Sequence, residues 1–165
     1  MKTLGIDPGT AITGYGILDD RNGTVKVIDY GCVKTSSKES PSKRLSKIYA
    51  DVKKLISKHK PKYVAIEKLF FNSNVKTAMA VGQARGVMIL AASEAGLSIS
   101  EYTPLEVKMA LTGYGRADKT QMQKMVKTLL RLDEIPRPDD AADALAIALC
   151  HVNSKSFKQK VGELN

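Results

Sequence analysis

The sequence predicts one α/β domain, a mixed five-stranded sheet with helices on its faces. Three observations carry that expectation. The N-terminus alternates β-rich runs with turn signals, and the rest alternates short apolar strands with helically periodic stretches. The 165 residues, 43% of them hydrophobic, close one core without supplying a second. No internal repeat or low-complexity linker divides the chain, so residues 1–153 read as the domain and residues 154–165 as a basic, frayed tail.

Thr3 to Ile6 forms a first strand stopped by Asp7-Pro8-Gly9. Thr13 to Leu18 is a second, and Asn22-Gly23 turns it into a third from Val25 to Val33, because both turn positions accept positive φ. From Ser42 to Lys58, Leu45, Ile48, Val52, Leu55 and Ile56 recur at helical spacing, and Pro61 ends the helix. Tyr63 to Ile66 is a compact strand closed by Glu67. Val75 to Ala95 is a long Ala-rich helix with Gly96 as its cap. Leu97 to Tyr102 is the fifth strand. Helices follow around Pro104 to Leu111, Lys119 to Leu132 and Asp140 to Asn153.

Composition narrows the function. Cys32 and Cys150 are the only cysteines and lie in no Cys/His cluster, which argues against a disulfide framework and a zinc site. The N-terminal residues lack a leader pattern and no apolar run is long enough for a membrane span, so a cytoplasmic protein is expected. The net charge is +9, with the basic excess gathered at Lys34–Lys62 and Leu105–Arg131. Such clustering fits a polyanion-binding surface, though solvated helix faces give the same pattern.

Against that background four acids stand among apolar or small residues: Asp7, Glu67, Asp140 and Asp143. A lone carboxylate there is costly unless it is paired, exposed or metal-bound. Asp140 and Asp143, three apart, share a helix face and repel by ~0.2–0.5 kcal/mol, a repulsion that a divalent cation reverses. Taken alone, Asp139 and Asp140 read better as helix caps than as metal ligands, an explanation that suits Asp143 less. Asp7 can serve as a turn residue, and Glu67 can pair with Lys68. Taken together, hard oxygen donors point to Mg²⁺ or Mn²⁺, and four carboxylates around two ions about 3.5–4 Å apart suit phosphodiester displacement.

These residues also carry a family resemblance. Leu4-Gly5-Ile6-Asp7-Pro8-Gly9-Thr10, Thr13-Gly14-Tyr15-Gly16, Ile66-Glu67, Gly82-Gln83-Ala84-Arg85-Gly86 and Asp140-Ala141-Ala142-Asp143-Ala144-Leu145-Ala146 resemble the bacterial RuvC family of Holliday junction resolvases. The resemblance implies a ribonuclease H-like fold. It also implies a homodimeric, Mg²⁺-dependent endonuclease, with Mn²⁺ able to substitute, in DNA recombination and repair. Such an enzyme nicks two strands symmetrically across four-way junction DNA, leaving 5′-phosphate and 3′-hydroxyl ends. Asp7, Glu67, Asp140 and Asp143 become the metal-holding catalytic acids, the Asp-Ala-Ala-Asp pattern favouring Asp140 over Asp139. Phe70 becomes a residue that stacks on a base, with core packing left to account for Phe71. Lys108 and Lys119 align with basic residues near the scissile phosphate, and Arg116 is a phosphate contact or a solvated loop charge. Ala78, Gly82 and Gly86 line either the dimer interface or a tight contact with the protein's own sheet. A branch-migration complex, RuvA-RuvB, is the partner implied.

Three other readings compete. A sugar-kinase or actin-type phosphotransferase shares the opening acid and Gly-Thr turn but needs a second domain. A junction-binding module without catalysis would gain nothing from four acids facing DNA. A nuclease of the same fold with another nucleic-acid substrate remains open at this point, because fold does not set substrate.

Overall fold

The computed structural model describes residues 1–68 and 75–162. Its elements are β1 (Lys2–Asp7), β2 (Ile12–Arg21), β3 (Thr24–Lys34), α1 (Pro41–His59), β4 (Tyr63–Glu67), α2 (Val75–Glu94), β5 (Ser98–Tyr102), α3 (Pro104–Thr112), α4 (Lys119–Leu129) and α5 (Asp139–Gly162). The sheet order is β3-β2-β1-β4-β5. β1, β2 and β3 form the antiparallel meander, while β4 runs parallel to β1 and β5 parallel to β4. This is the expected mixed sheet.

Alternation along the strands divides the core between the two faces. Leu4, Ile6, Ile17, Val64 and Ile66 pack with Ile48, Val52 and Ile56 of α1 and with Ala84, Met88, Ala91 and Ala92 of α2. Leu18 and Ala65 face the other way, against α3, α4 and the apolar length of α5. The turn between β2 and β3 has Asn22 at φ 53° and Gly23 at φ 82°, the positive values that the Asn-Gly pair predicts.

Several boundaries differ from expectation, among them the end of α4, which stops at Leu129 rather than Leu132. β2 and β3 extend beyond their apolar stretches, since polar residues such as Asp19 and Lys26 still pair at the hairpin end. α1 starts at Pro41, because Ser40 caps it by accepting from the Lys43 backbone N–H. α5 continues past Asn153 to Gly162, so the described part of the basic tail is helical. Lys155 has a tertiary anchor there: its Nζ lies 3.8 Å from the Tyr63 ring centroid and donates to the Tyr63 hydroxyl. Among the described residues, no helix is long and apolar enough to cross a membrane.

Candidate active site

The first requirement of the site is close approach of α5 to the sheet, and three glycines provide it. A Cβ on Gly5 would stand 2.1 Å from the Ala144 carbonyl oxygen, and one on Gly14 would stand 1.9 Å from that of Asp140. At Gly16 it would meet Leu145. The missing side chains let the helix backbone lie directly on β1 and β2. Gly14 is the cross-strand partner of Asp7, so the start of α5 sits over the end of β1.

Asp7 and Glu67 end adjacent parallel strands, each one residue beyond the Ile6–Ile66 pair. Both share the alternation of Gly5 and Ala65, which face α5. Ligands of open α/β sheets gather at such carboxyl ends of strands. The four acids converge here. Burial, then Glu67, Asp143 and Asp140, push the Asp7 carboxyl up from 3.8 to about 8. Burial and the Asp143 charge raise Glu67. Burial also raises Asp143, reinforced by Asp139 and Asp140 and opposed by Lys119. Desolvation and like charge act together throughout.

Lys119, the first residue of α4, supplies the nearby positive charge. Its Nζ is 3.4 Å from Asp143 and 3.5 Å from Asp139. Burial pulls its ammonium down, but Asp143 and Asp139 outweigh that and hold it above the ordinary lysine range. Asp139 is turned outward, where Arg137 also pairs with it. Asp140 rather than Asp139 is among the acids that raise Asp7, in line with the Asp-Ala-Ala-Asp register.

All four carboxylates are hard oxygen donors, and burial together with the neighbouring acids holds Asp7 well above the ordinary carboxylate range. The donor set therefore fits divalent ions of the Mg²⁺ and Mn²⁺ class. Among the described residues, no group of three or more His, Cys, Asp or Glu side chains is drawn in tightly enough to hold an ion as it stands.

Lys108 and Lys119 line one pocket with Glu67 and Asp143. Arg116 is exposed on the loop between α3 and α4 and is not among the residues lining that pocket. Phe70 and Phe71 lie outside the described residues. On α2, Gly86 is exposed with nothing within 4 Å of an added Cβ, so it does not pack on the sheet. Ala78 and Gly82 are half-buried, and Met79 and Leu90 add exposed apolar surface to the same helix.

One residue was quoted in the motifs without a role. From α2, Arg85 donates through Nε to the Glu67 carbonyl at 3.0 Å, and its Nη2 lies 2.8 Å from Glu101 of β5. It ties the ends of β4 and β5 together from the face opposite α5. Its position in a helix 18 residues downstream of Glu67 gives no local sequence signal of that contact.

A sheet of this order, with acids at the ends of its first and fourth strands and two more on the helix laid across it, defines the ribonuclease H-like nucleases. The chain belongs to the crossover junction endodeoxyribonuclease RuvC family, whose model matches residues 3–151. It is 59% identical over 157 residues to the RuvC of Caldicellulosiruptor saccharolyticus, covering 94% of this chain and 95% of that one. The Thermus thermophilus RuvC structure superposes with a TM-score of 0.88 at 37% identity, covering 96% and 97% of the two chains. T. thermophilus RuvC in complex with Holliday junction substrate gives a TM-score of 0.87 at 35% identity, covering 95% and 96%.

Proposed function

We propose that this protein resolves four-way DNA junctions by symmetric, metal-dependent nicking of two strands, leaving 5′-phosphate and 3′-hydroxyl ends. The observation carrying this reading is the convergence of Asp7, Glu67, Asp140 and Asp143 at one end of the sheet in a protein of net charge +9. Asp7 and Glu67 would hold Mg²⁺ from the strand ends, and Asp140 and Asp143 would hold it from α5, with Mn²⁺ able to substitute. Held there, a pair of such ions would supply Lewis-acid activation of water and neutralisation of charge on the phosphate. Ion binding also favours the ionised form of Asp7, which burial and its neighbours otherwise oppose.

Lys119 and Lys108 sit at the edge of the same cleft and hold the phosphate's charge there. Arg116 and Phe70 contribute further DNA contacts. A homodimer using the α2 face around Ala78, Gly82 and Gly86 presents two such sites to a two-fold substrate. The exposure of Met79, Gly86 and Leu90 supports that face. A branch-migration complex of RuvA and RuvB is the partner proposed for the family's place in recombination.

The test is incubation with a synthetic four-way junction and Mg²⁺. Paired, ligatable nicks at symmetric positions are expected. Cleavage of linear duplex as readily as of the junction would contradict the assignment.

A further inference from the structure

β3 is an edge strand: β2 pairs with one side of it, and among the described residues no strand covers the other. Past the bulge at Ile17 and Leu18 of β2, the pairing is regular from Asp29 to Lys34. Just beyond, the Thr35 backbone N–H donates to the Ala11 carbonyl, so by alternation Gly31 and Val33 also turn theirs towards β2. Cys32 and Lys34 turn theirs outward. On that outer side the Tyr30 N–H is already taken by the Asp29 carboxylate.

α1 runs antiparallel beside this edge. Lys58 Nζ, 3.0 Å from the Asp29 carboxylate, fixes one end, and Arg44 Nε, donating to Thr35 Oγ1 at 2.8 Å, fixes the other. Between helix and edge lies an open groove of about 410 Å³. Val33 and Leu55 give it apolar surface, and Lys47, Lys54 and Lys58 line its helical side. From Lys47 to Lys58 the helix rises about 16 Å, the length of about five strand residues. The basic excess of the Lys34–Lys62 segment thus gathers on the face of the sheet opposite α5, where the nuclease reading gives it no task.

We propose that this groove receives an extended acidic segment of a partner protein, added to the sheet beside β3. The outward backbone groups of Cys32 and Lys34 pair with the added strand. Its alternate side chains face α1, so carboxylates at every second position meet Lys47, Lys54 and Lys58, three cations that share only Asp51 and Asp29. The intervening positions fall on the face of exposed Tyr30 and are apolar. Two other occupants fit less well. A second copy of β3 would set the lysines of both copies, Lys26 and Lys34 among them, along one shared edge. A DNA backbone would use the lysines but neither the strand edge nor the apolar surface, and Asp29 and Asp51 would repel it.

The probe is a synthetic end-blocked peptide of alternating glutamate and valine, added to the full-length protein. Amide hydrogen exchange, followed by NMR, is expected to slow on the order of tenfold at Cys32 and Lys34. Gly31 and Val33, already bonded to β2, should change little. A peptide N-methylated at every second residue keeps the charge but cannot pair, and it should not bind. Lys47→Gln combined with Lys54→Gln should weaken peptide binding on the order of tenfold and leave junction affinity unchanged. Unaltered exchange at Cys32 and Lys34 in excess peptide would overturn the proposal, as would an N-methylated peptide that binds as well as its parent. Loss of junction affinity in the double variant would overturn it too, making nucleic acid the occupant.

Discussion

Asp7→Asn isolates the electrostatic cost of the site from its chemistry. In the metal-free protein the Asp7 carboxyl is pushed from 3.8 to about 8, a gap of about four pH units. The unfolded chain ionises near the lower value and the folded chain near the higher. The carboxyl therefore contributes its full stability below about pH 4, and that contribution is lost progressively as pH rises towards 8. At about 1.4 kcal/mol per pH unit, roughly 4 kcal/mol has gone by pH 7 as an upper limit. Asparagine has no proton to lose. Relief of Glu67 and Asp143 adds to the gain, and an unmatched amide subtracts from it. Asp7→Asn is expected to stabilise the metal-free protein at pH 7 by ~2 kcal/mol and to flatten its stability between pH 4 and 8. Nicking should disappear while junction binding persists. The assay is urea unfolding across pH in a metal chelator, beside a gel-shift with junction DNA. A variant less stable than the parent at pH 7, or a parent whose stability does not fall from pH 4 to 8, would refute the reasoning.

Gly14→Ala drives a methyl group against the Asp140 carbonyl oxygen, so it should cost about 1–3 kcal/mol of stability and reduce kcat more than junction affinity. Thermal unfolding and single-turnover cleavage measure the two effects. Arg85→Ala removes the tie between Glu67 and Glu101; kcat should fall with little change in junction Kd, and Arg85→Lys should recover only part of it. Steady-state kinetics and gel-shift titration separate these effects. Lys119→Met removes a cation that competes for Asp143, so divalent ions should bind at lower concentration while kcat falls on the order of 10²-fold. Metal titration by calorimetry and turnover at saturating Mg²⁺ check the opposite signs.

Much of this was legible in the chain. The hairpin at Asn22-Gly23, the meander and the alternation of helix and strand follow from local turn chemistry and periodicity, and all appear in the structure. The four acids were conspicuous because each stood among small or apolar residues. Their convergence was less accessible, because it depends on tertiary contacts between α5 and Gly5, Gly14 and Gly16. Nothing local to these glycines announces that contact, and their role emerges only when a helix backbone lies on them. Arg85 was hidden for a similar reason: its partner is a backbone carbonyl, which every residue carries. The continuation of α5 was missed because Lys155 looks like a tail charge until Tyr63 is placed beside it.

Diffraction from crystals soaked in Mn²⁺, with anomalous difference maps, tests the central claim most directly. Anomalous peaks are expected within coordination distance of Asp7, Glu67 and the Asp140–Asp143 edge of α5, and they should vanish in Asp7→Asn. Ordered Mn²⁺ bound elsewhere, with these four carboxylates bare, would contradict the account.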